Sequence, residues 1–237
     1  MGVAMTWLDD IVNCAHARVD ERVLDELAAR GVSETQVSRF RLGQLYGLPD
    51  NLDLPKDFIE WSHYGRRLDD VFVLPLTTTL GAVRGLQFRH VDRDRSGYMD
   101  YIVDKAEAVL FGLGEAMPHV WETGSIWLVE GGFDLFPIQK HFPGVVATLT
   151  ARVVDPLISV MRRTVTDVWM GYDMDERGQR SNKSFARSHG EVFKVHQVSY
   201  PQPLTPSGKK VKDPGDLWET WGDDRVGVFV RATIDAG

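Results

Sequence analysis

The chain has 237 residues, enough for one large domain or two small ones. Its 43% hydrophobic and 26% charged content is that of an ordinary globular protein, and no apolar run reaches the roughly 18 residues of a membrane span. The single cysteine, Cys14, excludes an internal disulfide framework and a Cys-rich zinc ribbon, and the net charge of −7 lacks the basic excess of a generic polyanion binder. Clustered metal-binding acids can hide a basic face in that total, so nucleic acid stays open as a partner. The start, "MGVAMTWLDD", turns acidic too early for a secretory signal, which makes the cytoplasm the simplest location.

The opening third reads as helical. Val23, Leu24, Leu27 and Ala28 share a helix face, Gly31 is a C-terminal stop, and "SETQ" (Ser33 to Gln36) is a capping box that starts the next helix, continued by Val37 and Phe40. "LPDNLDLP" (Leu48 to Pro55) is a loop. Two strands follow, "VFVLPL" (Val71 to Leu76) and "VRGLQFRH" (Val83 to His90), with "TTTLGA" turning the chain between them and the charged loop "DRDRSG" (Asp92 to Gly97) after them.

From Ser125 the rhythm changes. "SIWLV" is a short apolar run of the kind buried on both faces. A helix over Phe133 to His141 is predicted next, with Pro137 tolerable near its start. "VVATL" (Val145 to Leu149), "TDVWMGYD" (Thr166 to Asp173) and "EVFKVHQV" (Glu191 to Val198) read as further strands. Helices over Val153 to Arg163 and Gln179 to Ser188 separate them. That alternation predicts an α/β fold with a mainly parallel sheet.

Ligands of open parallel sheets bind beyond the carboxyl ends of the strands. Acidic residues gather there: Glu130 in "VEGGFD", Asp134 one helical turn on, Asp173 and Asp175 in "YDMDERG", and Asp213 and Asp216 in "KDPGDL". Each by itself is an ordinary strand-end, turn or helix-start residue. Together on one rim they repel one another and raise each other's pKa, unless a cation intervenes. Hard oxygen ligands suit Mg²⁺ or Mn²⁺. Gly131 and Gly132 allow a sharp turn and close approach of a phosphate, and Gly178 does the same after the Asp pair. "DRDRSG" and "DMDERG" begin like calcium loops, but Val103 and Ser184 stand where the twelfth-position glutamate belongs. His90, His119, His141, His189 and His196 show no metal spacing. Trp218 and Trp221 are open to two readings, base stacking or packing anchors.

The glutamate after one strand and the D-x-D after a later one resemble the TOPRIM domain of topoisomerases, DnaG-type primases and some nucleases. The rest of the chain resembles the primase branch. "VLDELAARGVSETQVSRFRLG" is similar to its entry segment, "VLPLTTTLGAVRGLQFRHVD" to its strand–turn–strand, "AVLFGL" to its "LYGL", and "KDPGDL" to its "K-D-P-x-D". Departures are present: Lys105 stands one position from the family lysine, Gly97 replaces a second lysine, and Thr150 replaces a glycine. The resemblance implies a minimal phage- or plasmid-like core without the zinc module or the helicase, both expected from other chains.

Its implied chemistry is primer synthesis: a hydroxyl attacks the α-phosphate of a ribonucleotide on a single-stranded DNA template, and pyrophosphate leaves. Glu130, Asp173 and Asp175 would be catalytic. Those three with Asp134, Asp213 and Asp216 would carry Mg²⁺ or Mn²⁺, Glu130 being either ligand or general base. Arg84, Arg89, Lys105 and Lys212 would contact template or nucleotide phosphates. Expected partners are single-stranded DNA, ribonucleoside triphosphates, a replicative helicase and a separate zinc-binding module, with no membrane. The expected layout is an N-terminal primase-core subdomain over 1–120, a TOPRIM domain over 121–222 and a tail over 223–237. Two rivals use the same residues differently: a TOPRIM nuclease, and a non-catalytic module that binds DNA or helicase.

Overall fold

The computed structural model describes residues 6–63, 68–92, 95 and 98–237. The chain opens with helices α1 (Thr6–His16), α2 (Glu21–Ala28) and α3 (Glu34–Arg39), then strand β1 (Gly43–Leu45) and helix α4 (Lys56–His63). Strands β2 (Val71–Thr77), β3 (Val83–His90), β4 (Tyr98–Ile102) and β5 (Leu110–Phe111) lead into α5 (Leu113–Thr123). Alternation then begins: β6 (Ser125–Val129), α6 (Leu135–Gln139), β7 (Val145–Ala147), α7 (Asp155–Thr164), β8 (Asp167–Met170), α8 (Glu176–His189), β9 (Lys194–Gln197) and finally α9 (Pro214–Ala236).

The strands form one sheet in the order β4-β3-β2-β5-β7-β6-β8-β9, with β1 on β2. Its first half is antiparallel and its second half, β7-β6-β8-β9, is parallel. The halves join through β5 and β7 at Phe111 and Ala147. This seam was not foreseen, because a two-residue strand carries no periodicity to read.

The apolar run of β6 is buried on both faces, as expected. Trp127 and Val129 pack with residues of α2, α3, α6 and α9. Ile126 and Leu128 pack with residues of α5, α7 and α8. A third cluster places α1 and α4 on the outer face of β2 and β3. The capping box at Ser33 is present, with Gln36 N donating to Ser33 Oγ at 3.3 Å and Ser33 N to Gln36 Oε1 at 3.0 Å.

Several boundaries differ from expectation. Helix α6 is shorter than 133–141, because a turn between Gly131 and Asp134 (Asp134 N to Gly131 O, 3.2 Å) takes up its start. Strand β7 ends at Ala147, and Leu149 is left-handed with φ +63°. Strand β8 stops at Met170, and β9 is confined to Lys194–Gln197. Helix α8 starts earlier than Gln179, because Asp175 caps it through Gly178 N at 2.8 Å. Helix α5 was hidden by the internal Pro118. Residues 223–236 are helical and packed: α9 bends at Gly222 (φ +71°) and buries Val226 and Val230. Gly97 lies outside the described residues.

Candidate active site

The exits of β6 and β8, the end of the loop after β9 and the start of α9 meet at one rim. Strand β6 delivers Glu130, the turn after it delivers Asp134, and the exit of β8 delivers Asp173 and Asp175. The loop after β9 returns with Lys212 and the cap residue Asp213, and the first turn of α9 adds Asp216. It is tied back by Met174 N, which donates to Lys212 O at 2.7 Å.

Much of this placement follows from local backbone bonds. Asp134 Oδ2 accepts from Gly131 N at 3.1 Å, and Asp213 Oδ1 caps α9 through Asp216 N at 2.7 Å. Asp216 Oδ2 accepts from Lys212 N at 3.2 Å. Each bond ties one carboxylate oxygen to nearby backbone. A Cβ on Gly215 would lie 3.2 Å from Asp134 Oδ1 and 3.3 Å from Asp213 Oδ1, so those two acids flank one backbone point. Lys212 Nζ lies 3.4 Å from Asp173 Oδ2 and 3.2 Å from Asp213 Oδ2.

The electrostatics match this crowding. Burial and the neighbouring Asp213 push Asp173 up to about 7, with Glu130 adding to the effect and Lys212 opposing it. Burial, Asp213 and Asp173 hold Asp134 well above the ordinary carboxylate range. Glu130 is raised by burial and by Asp175, against the pull of Arg177, and Asp216 by burial and Asp213. Lys212 is raised: burial works against its charge, but Asp213 and Asp173 outweigh it. Among the described residues, no three His, Cys, Asp or Glu side chains converge closely enough to hold an ion as they stand. The donor set nevertheless fits a hard divalent cation. Carboxylate oxygens of Asp173 and Asp213 already share one positive charge, and Asp134 adjoins them.

The two glycines after Glu130 serve space and not left-handed geometry, since neither has a positive φ. A Cβ on Gly131 would meet Asp134 Oδ2 at 2.4 Å. One on Gly132 would meet Gln87 Oε1 at 2.7 Å and Leu74 Cδ2 at 2.8 Å. Gly178 likewise abuts the Asp173 carbonyl, where a Cβ would lie at 2.2 Å. Its space is taken by protein and not left for phosphate.

The basic residues separate. Arg89 stacks over the Tyr98 ring at 4.5 Å and lines a cavity of about 210 Å³ with Arg30, Phe133, Asp213, Asp216 and Trp218. Arg84 sits in a β-bulge at the opposite end of β3, roughly 16 Å along the strand from Arg89. Lys105 is exposed in the turn after β4, beyond the Ile102 end of that strand. Lys212 is within the acid cluster itself. Trp218 packs against Gly31, where a Cβ would lie 2.9 Å from the indole, and Trp221 packs on the same core. Both are packing anchors. Arg30 and Tyr98 were not singled out from sequence. Arg30 stands over the Phe72 and Phe133 rings at 5.2 and 5.1 Å, and its signal was the "RGVS" segment of the entry motif.

Solved structures share this whole architecture. The RNA polymerase domain of Mycobacterium tuberculosis primase DnaG superposes with a TM-score of 0.76 at 17% identity, over 98% of this chain and 84% of that one. The chain has the fold of a DnaG-type primase catalytic core. The zinc-binding and RNA polymerase domains of Aquifex aeolicus primase give 0.74 at 23% identity, covering 95% and 60%. A DnaG catalytic domain bound to single-stranded DNA gives 0.73 at 18%, covering 96% and 77%. In sequence, the DNA primase of Aquifex aeolicus (strain VF5) is 32% identical over 167 residues, 62% of this chain. The match spans 33% of that relative, so the chain corresponds to about a third of its length. No protein-family model matches.

Proposed function

We propose that this chain is the catalytic core of an RNA primase, making short RNA primers on single-stranded DNA by Mg²⁺- or Mn²⁺-dependent nucleotidyl transfer. One observation carries the reading. Arg30 and Arg89 from the antiparallel side face Asp213 and Asp216 across one cavity. A nucleotidyl transferase needs this pairing of a cationic wall for phosphates with an acidic wall for metal. The division of labour follows the layout: residues 1–120 supply the basic wall, 121–222 the acidic rim, and 223–237 brace it.

Bound divalent cations would supply charge stabilisation for the attacking and leaving oxygens. The residues that would hold them are Asp173, Asp213 and Asp134, with Glu130, Asp175 and Asp216 around them. Glu130, raised by burial above the ordinary carboxylate range, is suited to take the proton of the attacking hydroxyl. Arg89, held over the Tyr98 ring, orients phosphates or the template backbone. Phe133, with Arg30 over its ring, lines the same cavity. Expected partners are single-stranded DNA, ribonucleoside triphosphates, a replicative helicase and a separate zinc-binding module. No helix among the described residues is long and apolar enough to cross a membrane, and we place the protein in the bacterial or phage-infected cytoplasm.

The deciding experiment incubates the chain with single-stranded DNA, ribonucleotides and Mg²⁺ or Mn²⁺, with and without a zinc-module partner. Labelled oligoribonucleotides, lost in Asp173→Ala, are the expected product. Shortening of the template would replace this reading with the nuclease. DNA binding without synthesis in both settings would replace it with the non-catalytic module.

A further inference from the structure

The ammonium of Lys212 is held where it is by more than its ion pairs. Its backbone is fixed on both sides: the carbonyl accepts from Met174 N at 2.7 Å and the amide donates to Asp216 Oδ2 at 3.2 Å. Side-chain Nζ then bridges Asp173 Oδ2 and Asp213 Oδ2 at 3.4 and 3.2 Å. Asp213 spends its other oxygen on the cap of α9. Of its two oxygens, the one on Lys212 is therefore the one left to reach a cation. Lys210, exposed two residues earlier, has the same charge, but no ion pair with these acids occurs among the described residues.

A divalent ion and the Lys212 ammonium therefore compete for the same two oxygens. Both cannot occupy them, since a cation beside an ammonium at contact distance is strongly repelled. We propose that Lys212 is a built-in competitor of the catalytic metal, which keeps cation affinity low until nucleotide phosphates take over its ammonium. Metal and nucleotide loading are then coupled: triphosphate draws Lys212 away from Asp173 and Asp213, and the vacated oxygens take the ion. By linkage, the ion raises nucleotide affinity by the same factor. The inference deepens the metal-dependent nucleotidyl-transfer reading and rests on it. Lys212 acts as a positioning residue, and its effect is read on binding and not only on turnover.

The test is direct Mn²⁺ binding, followed by electron paramagnetic resonance and calorimetry without DNA. The proteins are the wild type, Lys212→Met, Lys212→Arg and Lys210→Met, with circular dichroism confirming the fold of each. Lys212→Met is expected to bind Mn²⁺ about tenfold tighter than wild type or better. Lys212→Arg, which keeps the charge, and Lys210→Met are expected to stay near wild type. Adding a non-hydrolysable ribonucleoside triphosphate should tighten Mn²⁺ binding in the wild type and change it little in Lys212→Met. Equal or weaker Mn²⁺ binding by folded Lys212→Met overturns the inference while leaving the metal site standing. Absence of Mn²⁺ binding in every protein removes the metal site and the inference together. Absence of primer synthesis alongside a tightened Lys212→Met removes the primase reading only. If Lys212→Met does not fold, Lys212→Gln takes its place with the same expectations.

Discussion

Asp173 and Asp213 come from separate segments, the exit of β8 and the start of α9, yet each puts its Oδ2 within 3.4 Å of a single lysine nitrogen. That sharing makes the acids a unit. Asp213 helps to raise both Asp173 and Asp134, so removing it changes the protonation of its neighbours.

Asp173→Asn should stabilise the metal-free protein, in a pH-dependent way. In the folded chain Asp173 keeps its proton up to about pH 7, whereas its ordinary value is 3.8. Between these values the folded state binds more protons than the unfolded one, so stability falls as pH rises. The advantage of Asp173→Asn should therefore grow from about pH 4 to pH 7 and level off above. Thermal melts in chelator across this range check it, and a pH-independent difference would count against the assignment.

Asp213 has two jobs that substitution can separate. Asp213→Asn keeps an oxygen to cap α9 through Asp216 N, so its melting temperature should stay near wild type while Mn²⁺ binding drops at least tenfold. Asp213→Ala loses the cap as well and should cost a further ~1 kcal/mol in urea denaturation. Equal stability of the two variants would show that the cap contributes nothing.

Gly132→Ala should destabilise the fold by roughly 1–3 kcal/mol, because the new methyl meets Gln87 and Leu74 below 3 Å in a packed core. Gly131→Ala should instead displace the Asp134 carboxylate. We expect it to impair Mn²⁺ binding more than stability. Chemical denaturation and metal titration of both variants distinguish the two effects.

Arg89→Ala and Arg84→Ala should diverge although the residues share a strand. Arg89 faces the acidic cavity, and its loss should weaken nucleotide or single-stranded DNA binding about tenfold and flatten the salt dependence. Arg84, in the bulge at the far end, should change affinity less than twofold. Fluorescence anisotropy at several salt concentrations reads both, and equal effects would place the phosphate path elsewhere.

Features with local causes are legible in the sequence. The apolar run Ser125 to Val129, the alternation of strands and helices after it, and the capping box at Ser33 all depend on neighbours a few residues away. So does the placement of Glu130, Asp173 and Asp175 at or just past strand ends. Tertiary structure alone decided which charges meet. Nothing in the spacing of "KDPGDL" indicates that Lys212 turns inward between Asp173 and Asp213, or that Asp134 adjoins Gly215. Arg84 and Arg89 share one strand, but Arg84 falls in the bulge at its far end and only Arg89 lines the acidic cavity. Gly131 and Gly132 read as turn formers, but they are needed because Asp134, Gln87 and Leu74 leave no room for a Cβ. The reason is common to all of these. Periodicity and capping are properties of one segment, whereas a shared ammonium or a filled space depends on segments brought together only when the sheet closes.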